Sequence, residues 1–135
     1  MGTWGIGSFD NDDAADFLAD VTESGDLSLI REALDNVLTS TEYVEAPDAC
    51  QAIVASEILA AALGRPTSAA QQEGEIGQWV ARIRPTVDSE LATQARDALT
   101  RILDRNSELR ELWEEAEEFP EWQATVTELR QQLRA

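Results

Sequence analysis

Pro47-Asp48-Ala49-Cys50-Gln51-Ala52-Ile53-Val54-Ala55-Ser56-Glu57-Ile58-Leu59-Ala60-Ala61-Ala62-Leu63 is the stretch that decides the fold. Its apolar side chains fall on nearly every face of a 3.6-residue helix, and a helix of that kind is surrounded by others. Pro47 suits a first helical position, Asp48 suits the positive end of the helix dipole, and Gly64 followed by Pro66 ends the helix in the usual order. The expectation is a central helix over 47–63. One residue breaks the apolar run. A carboxylate at Glu57, inside such a helix, must find an Arg, a metal ion or backbone donors, or else hold its proton; an Arg partner is the expectation for a structural role.

Outward from this helix the chain reads as amphipathic segments divided by short punctuation. On the N-terminal side, Ala14, Phe17, Leu18 and Val21 stripe a helix from Asp10 to about Thr22. Ser24-Gly25 ends it, and Asp26 is placed to cap a second helix over 27–39. On the C-terminal side, residues 65–74 carry Pro, Thr, Ser, Gln and Gly and are expected to form a mobile loop. A short helix over 75–83 follows and is broken by Pro85. Asp88 then caps a long helix to about Arg105, a further helix covers 108–118, and Pro120 opens the last. No segment alternates like a strand, so the fold class expected is all-α: one compact domain, 1–135, in a bundle of about six or seven helices.

Charge limits function. Twenty-seven acids face ten basic residues, a net charge of −17, and every basic residue is Arg. A surface so negative repels phosphate backbones and anionic lipid, so no nucleic acid and no membrane is expected as a direct partner. Basic proteins and cations are attracted instead. Without Lys or His there is no Schiff-base amine, no imidazole base and no Ser-His-Asp or Cys-His unit. The single Cys50, set among Ala, reads as an inert core thiol. No basic stretch leading into an apolar one opens the sequence, and a cytoplasmic location is the expectation.

Residues 1–17, MGTWGIGSFDNDDAADF, are the part least explained by folding alone. Trp4, Gly5, Gly7, Phe9, Asp10 and Asp13 form a motif of glycines, aromatics and acids at a helix start. One reading is structural: Asp10 caps the helix, Asp12 and Asp13 complement its dipole, and Trp4 and Phe9 anchor the segment. The other is a site, either for interaction or for a divalent cation held by Asp12, Asp13, Asp16 and Glu57. An EF-hand loop is excluded, because Ala14 and Val21 stand where ligands belong. The acidic run Glu111-Leu112-Trp113-Glu114-Glu115-Ala116-Glu117-Glu118 reads as a solvated helix face, since no Asp follows Asp104 to complete a second metal-binding half.

The opening Met1-Gly2-Thr3-Trp4-Gly5-Ile6-Gly7-Ser8-Phe9-Asp10-Asn11-Asp12-Asp13-Ala14-Ala15-Asp16-Phe17 resembles that of the bacterial DUF4259 family. The stretches 57–66 and 107–113 look similar to that family too. The resemblance implies a small bacterial protein and supplies neither an activity nor catalytic residues. Two functions remain in view. The first is a small acidic protein-binding module, of the immunity, antitoxin or charge-mimic kind, that docks a basic partner without cofactor or chemistry. The alternative is a metal-dependent enzyme or divalent-cation-binding protein built on the Asp cluster and Glu57.

Overall fold

The structure, a computed structural model, describes residues 7–40 and 42–134. Eight helices form among them: α1 (Asp12–Glu23), α2 (Ser28–Leu38), α3 (Ala46–Ala62), α4 (Ser68–Gln72), α5 (Gly74–Ile83), α6 (Ser89–Leu103), α7 (Glu108–Glu114) and α8 (Phe119–Gln132). The described residues contain no strand, only one isolated parallel bridge between Val44 and Ser107. The all-α expectation holds.

α3 is the axis of the molecule. It touches every other helix, and Ala52 through Ala60 are buried without a break. Alanines make this possible, because a small side chain lets a neighbouring helix approach closely while Ile53, Val54, Ile58 and Leu59 fill the spaces between. The buried stripes of α1, α2, α6 and α8 join it in one continuous cluster.

Two local details depart from expectation. α1 begins at Asp12, and its cap is Asn11, whose Oδ1 accepts from the Ala14 amide at 2.8 Å. Asp10 closes a tight turn instead: its Oδ2 accepts from the Gly7 amide at 3.0 Å while its own amide donates to the Gly7 carbonyl at 3.1 Å. A Cβ on Gly7 would lie 2.5 Å from Asp10 Oδ2, so a side chain there would push the Asp10 carboxylate off its bond to the residue 7 amide. Second, residues 65–74 are loop only in part, at 65–67 and 73. Thr67 accepts from the Ala70 amide at 3.2 Å and nucleates α4, which raises the helix count to eight.

The α2–α3 connection is tied down by α7. The Val44 amide donates to the Asn106 carbonyl and the Glu108 amide to the Val44 carbonyl, both at 2.9 Å. Asn106 takes the left-handed conformation, φ 63°, that turns the chain into this clip. Glu108 then reaches across to accept from the Ala46 amide at 2.7 Å. The start of α3, which has no side-chain cap of its own, is thus satisfied by a carboxylate from another helix.

The arginines work at helix ends. Arg82 donates to the carbonyl of Thr22, Arg96 to that of Leu133, Arg65 to that of Arg134, Arg101 to that of Arg105 and Arg110 to that of Leu103. Each of these acceptors lies in or just past the last turn of a helix, where carbonyls lack intrahelical partners and the dipole is negative. Among the described residues one ion pair forms, Arg110 with Glu114 at 2.6 Å.

Candidate functional site

Glu57 is 1 % exposed, in the midst of the most apolar helix. Its partner is neither Arg nor backbone. The Thr67 hydroxyl donates to Glu57 Oε1 at 2.7 Å, and the hydroxyl of Ser8 lies on the same carboxyl group. The Thr67 oxygen therefore serves twice, giving its proton to Glu57 and a lone pair to the first turn of α4. Burial pushes the Glu57 carboxyl above its ordinary range, the two hydroxyls pull it back, and the charge of Glu128 pushes it up again. These contacts join three parts of the chain: the turn at 7–10, the middle of α3 and the α3–α4 connection.

Glu57 lines a cleft of about 290 Å3 together with Gly7, Asp10, Thr67, Ser68, Ala69, Thr125 and Glu128. Its polar side chains are acids and hydroxyls, which suit hydrogen-bond donors and cations and disfavour anions. Cys50 borders a separate void of about 20 Å3, room for about one water. Burial, with the charge of Asp13 added, pushes its thiol up to about 12, so it stays protonated and unreactive.

The residues expected to hold a cation are not assembled. Asp12 and Asp16 point to solvent on α1, while Asp13 is half-buried and acts on Cys50, not on Glu57. Among the described residues no three of Asp, Glu and Cys stand together as a group that would hold a metal ion. The reason is the helix phase: Ala14, Phe17, Leu18 and Val21 face α3, which turns Asp12 and Asp16 outward. Of the N-terminal motif, Gly7 and Asp10 make the tight turn and line the cleft, and Phe9 packs against the core. Trp4 and Gly5 lie outside the described residues.

Thr67 and Glu128 line this cleft and Ser8 acts on Glu57, and none of the three is a candidate by sequence. Thr67 carried a signal: a Thr just after Gly64-Arg65-Pro66 and three residues before Ala70 fits a helix cap. Ser8 and Glu128 carried none, because a contact between a turn and two distant helices leaves no periodicity to read.

No described helix is long and apolar enough to cross a membrane. No curated protein and no solved structure matches the chain. Residues 2–125 do match a family, described as a domain of unknown function. The match runs from before the Gly7–Asp10 turn to Thr125 in the cleft, and with this coverage of its 135 residues the chain belongs to the DUF4259 family.

Proposed function

We propose that this protein is a small acidic binding module of the bacterial cytoplasm, of the immunity, antitoxin or charge-mimic kind, which docks a basic protein partner and carries out no chemistry itself. The observation that supports this reading is where the arginines go. Ten Arg are too few to neutralise 27 acids, and those that bond do so chiefly to helix-end carbonyls, leaving one ion pair among the described residues. The carboxylates are left facing water, and a positive partner gains from all of them at once through long-range attraction. The cleft adds Asp10 and Glu128 to that negative field, while Glu57 is paired with hydroxyls, a use that holds three segments together.

The test is affinity capture from the native cell extract at low salt, followed by purification of the captured protein and titration at several salt concentrations. The expected partner is basic, and its affinity falls steeply as salt rises, because exposed charges are screened beyond about 10 Å at 0.1 M. An acidic or neutral partner, or an affinity that does not respond to salt, overturns the reading.

A further inference from the structure

We propose that Tyr43 and Leu112 form the anchor of this docking surface, and that the segment they receive is a basic amphipathic one, with Arg or Lys around an apolar stripe. The proposal rests on the acidic-module reading and gives it a place. Among the described residues the exposed large hydrophobic side chains are Leu38, Tyr43 and Leu112, at 37 %, 44 % and 42 % exposure. Two of them are linked through α7: the Tyr43 hydroxyl donates to Glu111, the residue before Leu112, while Leu38 ends α2. Scattered apolar residues on a surface need no explanation, but Tyr43 and Leu112 flank one carboxylate on an acidic face.

Tyr43 is also held in place before any partner arrives. Tyr43 is fixed at its hydroxyl by Glu111 and at its backbone by the neighbouring Val44, bonded on both sides to the α6–α7 turn. A side chain already ordered loses little entropy on binding. Tyr is a residue type that dominates interface energies, with an apolar ring and a polar tip.

The charges around it define the partner. Glu45, Glu108 and Glu111 all act on Tyr43, and Glu42 is exposed beside it. The cation of α7, Arg110, is turned elsewhere: it bonds Glu114 and the Leu103 carbonyl and lies over the Phe119 ring at 5.6 Å. An apolar centre with an acidic rim matches an apolar stripe with a basic rim, and a cation placed over the Tyr43 face gains from the ring as well.

The probes are two synthetic helical peptides of equal positive charge, one with leucines along one face and one with serines in their place. With isotope-labelled protein, the leucine peptide is expected to bind about tenfold more tightly than the serine peptide, with the largest resonance shifts at residues 42–46 and 108–112. Tyr43→Ala and Leu112→Ala each reduce that preference to near unity while leaving the serine peptide's affinity unchanged, and Tyr43→Phe, which keeps the ring, retains it. Both Ala changes fall on exposed side chains, and an unchanged helical spectrum confirms that each variant is folded. Equal binding of the two peptides, or shifts centred on the Glu57 cleft, overturns the anchor and leaves the acidic-module reading standing. Failure of both peptides to bind overturns both.

Discussion

At the scale of the residue, Glu57 sets a sign. Folding raises its pKa above the ordinary 4.5, so the native state favours the neutral acid. That contribution is complete below pH 4.5 and is lost as pH rises through the folded value, because the native state binds more protons there than the unfolded one. Glu57→Gln mimics the neutral acid at every pH. Its stability relative to the parent should therefore grow as pH climbs above 4.5, and urea melts across that range measure it. A constant offset would mean that ionisation of Glu57 is not coupled to folding. Thr67 supports both the carboxyl and α4 through one oxygen, so Thr67→Ala should cost about 2 kcal/mol, the sum of a lost cap and a lost bond to an acid. Thr67→Ser should recover most of it, and a Ser variant as weak as the Ala one would point to the methyl group instead. The oddity of Glu57 was plain from sequence, since a carboxylate in an apolar run always requires an explanation. Its partners were not plain: an Arg was expected, and none reaches it, while five of the ten arginines are committed to helix ends.

Among the elements, the helix starts show what pattern can and cannot decide. Asp88 was legible as a cap and accepts from the Leu91 amide at 2.8 Å; Asp26, expected to cap α2, instead lies one residue before its N-cap Leu27 and accepts from the Ser28 amide at 2.9 Å, leaving that start without a side-chain cap. Asp10 was misplaced by one residue, because Asp10, Asn11 and Asp12 can all cap and only tertiary packing chooses the phase. The choice is measurable. Asn11→Ala should destabilise by about 1 kcal/mol by removing the bond to Ala14. Asp10→Ala should leave α1 intact and act only on the Gly7 turn. Amide exchange at Ala14 distinguishes them: it should accelerate in the first variant and not in the second, and the reverse result would restore Asp10 as the cap. The Pro, Ser and Gly of 65–74 read as loop, and the segment folds in part because Thr67 caps five helix-compatible residues, Ser68 to Gln72.

For the whole molecule, the position of α3 was legible, because a helix apolar on all sides has no solvent face to offer. The net charge was legible too, but its distribution was not. With −17 and one ion pair among the described residues, the native state carries self-repulsion that salt relieves. Sodium chloride should therefore raise Tm, by about 4 °C for each 1 kcal/mol of relief in a chain this long. A Tm that is flat or falls with salt would show that the carboxylates are neutralised in some other way. The clip at Val44 was wholly hidden, since one bridge between distant residues leaves no repeat in the sequence. It is also a clock. The amide protons of Val44 and Glu108 are held by that bridge alone, so their exchange with solvent water times its opening and not the unfolding of the molecule. They should trade hydrogen for deuterium sooner than Ile58 in the centre of α3. A ligand that binds Tyr43 only while the bridge is closed must be released each time it opens, so its occupancy is added to the opening free energy. Two amides would then slow in proportion to the ligand present, and their rates would give its dissociation constant without any change elsewhere in the protein.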